Sequence, residues 1–144
     1  MTNYLKNQAG QDVKRKLSAC FVMIEKETNV IQGYYTLSNS SIPLNKFSEK
    51  IQKKLPKSYN SIPTTLLGRL AIDLKFQGKG IGKILLIDAL KRNYEISKEI
   101  GTFGVVVDPI DEEAEKFYEK YDFIKLPDSK KMFIATQTLK ELFE

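Results

Sequence analysis

Apolar and polar residues follow one another along this chain in two rhythms. Ala19 to Ile24 (Ala-Cys-Phe-Val-Met-Ile) is unbroken and apolar, which predicts a buried strand. Val30 to Leu37 predicts its hairpin partner, joined through Glu25-Lys-Glu-Thr-Asn29. Leu44, Phe47, Ile51 and Leu55 recur every three or four residues, so a short amphipathic helix is predicted over 44–55. Pro56 and Pro63 bracket a loop, and Thr64 to Ile72 reads as a third strand. Residues 3 to 17 predict a weakly amphipathic helix. The longest helix is predicted over 80–100, where Gly82, Leu85, Leu86, Ala89, Ile96 and Ile100 share one face and Gly101 ends the run. Phe103 to Val107, with three consecutive valines, is a strand. Asp111 is a helix N-cap, and Glu112, Glu113 and Glu115 suit the positive end of a helix running to about Tyr121. Phe123–Leu126 and Lys131–Ala135 are two closing strands across a Pro-Asp-Ser turn. This order predicts an α/β fold: one domain over 1–144, with a mixed twisted sheet flanked by helices.

Composition narrows the chemistry. The 144 residues are 42% hydrophobic, enough for a single core. There is no histidine, which excludes Ser–His and Cys–His triads and His-ligated metal sites. Cys20 is the single cysteine and lies in an apolar strand, so it reads as core; no disulfide, zinc cluster or other metal is expected. No apolar run approaches the ~20 residues of a membrane span, and Met1 to Gln8 carries no signal-peptide core. The expected compartment is the cytoplasm, with no membrane partner. Residues 1–64 carry 10 basic and 4 acidic side chains, whereas residues 65–144 carry 13 and 14. The net charge of +5 therefore belongs to the first half. Its densest piece sets Lys46, Lys50, Lys53, Lys54 and Lys57 against Glu49; such a run is either a solvated face or a surface for a polyanion.

The strongest chemical signal is a strand, then Gln77-Gly-Lys-Gly-Ile-Gly-Lys83, then a helix. Glycines at a helix mouth let the backbone approach a ligand, and the free N–H groups of the first turn favour a phosphate or pyrophosphate. A P-loop does not fit, because three residues rather than four separate Gly78 from Gly82-Lys83 and Ile84 follows. A dinucleotide fingerprint does not fit either, because Lys83 stands where its last Gly belongs. Gln77, Gly80 and Gly82 do satisfy Q/R-x-x-G-x-G/A, a pattern that resembles the pyrophosphate loop of the GNAT acetyltransferases.

The surroundings extend the resemblance over residues 4 to 140. Leu67-Gly-Arg-Leu-Ala-Ile-Asp73 is similar to the GNAT strand that lines the pantetheine arm. After Val105-Val-Val107, the stretch Asp111 to Phe123 resembles the second GNAT signature, with Ala114, Tyr118 and Phe123 in place. Asp111 stands where Asn is usual, and Asp122 where Gly is usual; Asp tolerates a left-handed φ better than most residues. Together with Gly33-Tyr-Tyr-Thr-Leu-Ser38 and Phe117-Tyr-Glu-Lys-Tyr121, these segments resemble the toxin branch of the superfamily, which acetylates the α-amine of aminoacyl-tRNA. The family has a strand before its first helix; this chain opens at a position resembling the middle of that helix, so the first family strand is expected to be missing.

The resemblance implies direct transfer from acetyl-CoA, the co-substrate, to a primary amine. It implies cofactor binding by Leu70, Ala71, Ile72, Gln77, Gly78, Lys79, Gly80, Ile81, Gly82 and Lys83, and a catalytic Tyr118 that serves the leaving thiolate as acid. Nothing in the sequence announces a base, which favours an α-amine, titrating near pH ~8, over a lysine side chain. Arg69, Tyr35, Lys50, Lys53 and Lys54 are the substrate-side candidates. The implied partners are charged tRNA, a small ribbon-helix-helix antitoxin and a second copy of the chain. A small-molecule or protein N-acetyltransferase and a non-catalytic acyl-CoA binding module are the competing readings.

Overall fold

The structure is a computed structural model and describes residues 4–5 and 8–144. The apolar run Ala19–Ile24 forms β1, antiparallel to β2 (Ile31–Pro43), with Ala19 opposite Leu37 and Ile24 opposite Ile31. β3 (Ser61–Ile72) leads to the long helix α3 (Ile81–Ser97), then to β4 (Gly104–Val107) and helix α4 (Glu112–Lys120). β5 (Ile124–Lys125), β6 (Met132–Ala135) and helix α5 (Thr136–Phe143) follow. Upstream lie α1 (Ala9–Lys14) and the four-residue α2 (Glu49–Gln52). The strand order is β1-β2-β3-β4-β6-β5. β3 and β4 pair parallel, Thr65 beside Val105, while β4–β6 and β5–β6 are antiparallel, so the sheet is mixed.

The chain divides into two compact units, one of Met1–Ser38 with Leu67–Arg92 and one of Asn39–Leu66 with Asn93–Glu144. In the first, Tyr34, Tyr35, Leu37, Leu67, Leu85, Leu86, Ala89 and Leu90 are buried. In the second, Ile42, Phe47, Ile62, Val106, Leu126 and Phe133 form the core. The Phe47 ring there meets Phe103 and Phe133 edge-on, at 5.7 and 5.3 Å between centroids. Such pairs add to plain area burial.

Several expectations need correction. β1 is not a buried strand: Val22 and Ile24 are nearly half exposed, and Cys20 is only half-buried rather than core. β1 closes one end of the strand order, so among the described residues only one of its edges is paired. β2 runs six residues past Leu37, because Ser38 to Ile42 keep the strand's alternation although Ser38 to Ser41 are poor strand formers. Helix 44–55 breaks into a 3-10 turn, Leu44–Lys46, and α2; Phe47 between them is extended, and the Ser48 side chain caps the new start by accepting from Ile51 N–H. Pro63 lies inside β3 rather than in a loop. It has no N–H to lose, and its carbonyl accepts from Phe103 N–H at 2.8 Å. α3 ends at Ser97, which leaves Ile96 and Ile100 exposed; Leu90 and Tyr94 complete the buried face instead. The C-terminal helix α5 was not anticipated. It follows β6 without a break, buries Leu139 completely and stacks Phe143 on Tyr94. Of the helix predicted over 3–17, residues 9–14 form α1, closed by Lys16 at a φ of 63°; residues 3, 6 and 7 lie outside the described residues.

Candidate active site

In the first unit, β3 runs into Asp73, whose side chain accepts from Lys75 N–H at 3.0 Å and so starts the 3-10 turn Leu74–Phe76. Gln77 turns the chain, and its side-chain amide reaches back to the Ile72 carbonyl at 3.4 Å. This contact ties the phosphate-loop candidate to Leu70–Ile72, the candidate pantetheine strand. Gly78 and Gly80 take φ values of +79° and +77°, a region that glycine enters without the penalty an L side chain carries. A Cβ at either position would meet nothing within 4 Å, so conformation, not crowding, demands the glycines, and the space above the loop is open.

Helix α3 begins directly at Ile81, which is buried and anchors the first turn, while Lys79 and Lys83 are exposed. No acidic residue sits in that turn to compete for its N–H groups. An open, glycine-lined helix mouth flanked by two lysines fits the pyrophosphate of a coenzyme A ester.

The other candidates in this unit are structural in their contacts. The Arg69 guanidinium lies 4.1 Å from the centre of the Tyr4 ring, which itself stacks on Tyr34. Burial pushes the Tyr34 phenol up, and the Arg69 charge opposes that rise. Tyr35 is 1% exposed. Its hydroxyl donates to Asp88 Oδ2 at 2.5 Å and accepts from Arg92 Nε at 2.9 Å. Burial, reinforced by the Asp88 bond, pushes its pKa up to about 12. A substrate contact through this hydroxyl would have to displace both partners. Asp88 and Arg92 were missed in the sequence; their only signal was an acid-to-base spacing of four on one helix face. Tyr35, Phe21, Leu85, Asp88 and Arg92 line a cleft of about 470 Å³.

Tyr118 belongs to the second unit, on α4. The Asp111 side chain caps that helix by accepting from Ala114 N–H at 2.8 Å. Its far end closes as a Schellman motif: Asp122 takes a φ of +70°, its N–H bonds the Glu119 carbonyl at 3.1 Å, and Phe123 N–H returns to the Tyr118 carbonyl at 3.2 Å. The apolar contact that accompanies this motif is Tyr118 against Phe123, with ring centres 5.1 Å apart. Phe117 meets the same tyrosine edge-on at 5.3 Å. Burial pushes the Tyr118 phenol up to about 12. It therefore keeps its proton at neutral pH and can act as a hydrogen-bond donor but not as a base.

Lys50, Lys53 and Lys54 sit on and just after α2, all exposed. Among the described residues, the ion pairs of this unit join Lys98 to Glu95, Lys125 to Glu115 and Lys131 to Asp108, so none of them uses these lysines.

Residues 17–125 match the acetyltransferase (GNAT) domain family. A tRNA-acetylating toxin of Mycobacterium tuberculosis (strain H37Rv) is 32% identical over 123 residues, which is 85% of this chain and 71% of that protein. Among solved structures, AtaT complexed with acetyl-methionyl-tRNAfMet is 30% identical at a TM-score of 0.89, covering 98% of this chain and 84% of that one. A Tyr-to-Phe mutant of the toxin AtaT, bound to acetyl-CoA and the C-terminus of the antitoxin AtaR, is 26% identical at a TM-score of 0.79, covering 97% and 81%. With its strand order, its open helix mouth and these relatives, the chain belongs to the GNAT acetyltransferase family.

Proposed function

We propose that this chain is a tRNA-acetylating toxin: an N-acetyltransferase that moves the acetyl group of acetyl-CoA onto the α-amine of an aminoacyl-tRNA and is restrained by an antitoxin. The observation that carries the reading is the likeness to AtaT complexed with acetyl-methionyl-tRNAfMet, which extends over 98% of this chain. The open loop at Gly78 and Gly80 supports it from the side of the co-substrate. On this reading residues 1–144 act as one catalytic domain in the cytoplasm.

The loop Gln77–Lys83 binds the pyrophosphate with the N–H groups of the first turn of α3, and Lys79 and Lys83 add charge. Main-chain groups of Leu70, Ala71 and Ile72 hold the pantetheine arm and polarise the carbonyl. Acetyl-CoA supplies the activated acyl group when bound. Tyr118 holds its proton at the hydroxyl and offers it as a hydrogen bond to the leaving sulfur. The nucleophile needs no base, because an α-amine is partly neutral at physiological pH. Lys50, Lys53 and Lys54 contact the RNA backbone.

The test is transfer of labelled acetyl from acetyl-CoA to charged tRNA, compared with uncharged tRNA, a polyamine and a peptide N-terminus. Labelling of charged tRNA alone is expected. Labelling of the polyamine or peptide instead overturns the acceptor assignment. Reversing Lys50, Lys53 and Lys54 to Glu should raise the KM for charged tRNA and flatten its salt dependence, since each phosphate contact contributes about 0.7–0.9 log units of affinity per log unit of salt. Unchanged tRNA kinetics would leave these lysines a solvated face.

A further inference from the structure

We propose that the cleft between the end of β2 and the loop before β3 is a pocket for one unpaired nucleotide of the RNA substrate, with Tyr59 as its stacking platform. The inference rests on the charged-tRNA reading and adds a subsite to it. The cleft has a volume of about 350 Å³ and is lined by Leu44, Asn45, Gln52, Lys57, Tyr59 and Asn60.

Tyr59 is 55% exposed, whereas Tyr34, Tyr35, Tyr94 and Tyr118 are all buried. An aromatic face left in water forgoes burial that the other tyrosines obtain, and it is what an unstacked base needs beneath it. The backbone that carries the ring is tied down on both sides. Tyr59 N–H bonds the Pro56 carbonyl at 3.3 Å, and the next carbonyl, that of Asn60, accepts from Leu44 N–H at 2.9 Å.

The rest of the lining has the polarity of a nucleotide. The Gln52 side-chain N–H is committed to the Phe47 carbonyl at 2.7 Å, which fixes the direction of the amide and leaves its oxygen as an acceptor. The exposed amides of Asn45 and Asn60 carry both donors and acceptors, the complement of a base edge. Lys57 lies in the lining itself, and Lys46, Lys50, Lys53 and Lys54 precede it in the same basic run. A flat π-face, amide edges and clustered cations together match a base joined to its phosphates better than they match a bare anion or an aliphatic ligand.

The experiment compares wild type, Tyr59→Ala and Tyr59→Phe. It measures steady-state kinetics on charged tRNA and fluorescence anisotropy with uncharged tRNA and with polyglutamate. Tyr59→Ala should raise the KM for charged tRNA and the Kd for uncharged tRNA by about 5- to 150-fold, the range of one base stacked on an aromatic ring. It should leave kcat and the KM for acetyl-CoA in place, and Tyr59→Phe, which keeps the ring, should restore tRNA affinity. Unchanged tRNA affinity in Tyr59→Ala overturns the pocket. An equal loss of affinity for polyglutamate overturns it in favour of an acidic peptide. Should charged tRNA prove not to be acetylated, the acceptor reading fails by itself; loss of anisotropy with uncharged tRNA in Tyr59→Ala would still uphold the pocket, and no loss would sink it too.

Discussion

Replacing Asp122 by glycine should stabilise the protein, an unusual direction for a change at a charged helix end. Asp122 is the left-handed residue of the Schellman motif that closes α4, with a φ of +70°. An L side chain there costs roughly 1–2 kcal/mol, with Asp at the low end because its short polar group bonds locally. Glycine removes that cost and returns part of it through the greater freedom of the unfolded chain. The balance is a gain of about 0.5–1 kcal/mol. The two bonds of the motif, to Glu119 and Tyr118, are made by backbone N–H groups and survive the change. Valine at the same position adds β-branching to a left-handed backbone and should cost about 1–2 kcal/mol. For a chain of this size each kcal/mol moves Tm by about 2–4 °C, so glycine and valine should shift the melt in opposite directions by readily measured amounts. Thermal and urea unfolding of the three proteins in parallel is the assay. A glycine variant that melts below wild type, or a valine variant that matches it, would refute the argument that this φ carries the strain. Because Tyr118 is the third residue back from the cap and packs on Phe123, the valine variant should also lose turnover, while glycine keeps it.

Other consequences can be checked with the same reagents. Acetyl-CoA should raise Tm in wild type but not in Gly80→Glu, which sets a carboxylate against the helix mouth and forces a side chain onto a φ of +77°; NAD and ATP at equal concentration should raise neither. Tyr118→Phe should lower kcat by about 10²-fold or more with acetyl-CoA affinity kept, the scale of a lost proton donor; full activity would remove Tyr118 from the chemistry. A phenol moved from its ordinary value near 10 to about 12 makes the folded state hold a proton that the unfolded state releases, so its stabilising share is complete below pH 10 and is lost as pH rises toward 12. The alkaline fall in stability should therefore be shallower in Tyr118→Phe. Asn93 is fully buried, and neither atom of its amide has a hydrogen-bond partner among the described residues. Asn93→Leu should raise the urea midpoint by the equivalent of about 1–3 kcal/mol, and a drop would show that the amide is satisfied or required.

Where one residue type had only one conformational use, the sequence was legible. Gly78 and Gly80 announced a loop at a helix mouth, and the structure gives both a positive φ; Asp111 announced a cap, and the valines of β4 announced a strand. Where tertiary pairing outweighed local preference, it was not. The Ser- and Asn-rich end of β2 extends because its neighbours bond it, and Pro63 sits in β3 because its carbonyl, not its missing N–H, is used. The spacing of Leu44, Phe47, Ile51 and Leu55 predicts one helix; the apolar side chains do pack on one core, but an extended Phe47 and the Ser48 cap divide the backbone. At the site, the glycine spacing marked the loop, and Tyr118 was named by the resemblance to the family's second signature. The commitment of Tyr35 to Asp88 and Arg92 could not be read from the sequence, because fifty-three residues separate Tyr35 from Asp88 along the chain.

The parallel pairing of β3 with β4 also governs how the chain reaches its native state. Between Thr65 and Leu66 and their partners Val105 and Val106 the chain runs through the whole of α3. The β1–β2 hairpin, by contrast, closes across a short turn. Local closure is fast, whereas closure across forty residues costs more loop entropy before its contacts repay it, so the assembly of β3 on β4 is expected to be the slower event. On that order of events the uncharged segment Ala-Cys-Phe-Val-Met-Ile is paired with β2 before the sheet is complete. Refolding yield should accordingly fall with protein concentration, and slow synthesis or low temperature should recover it.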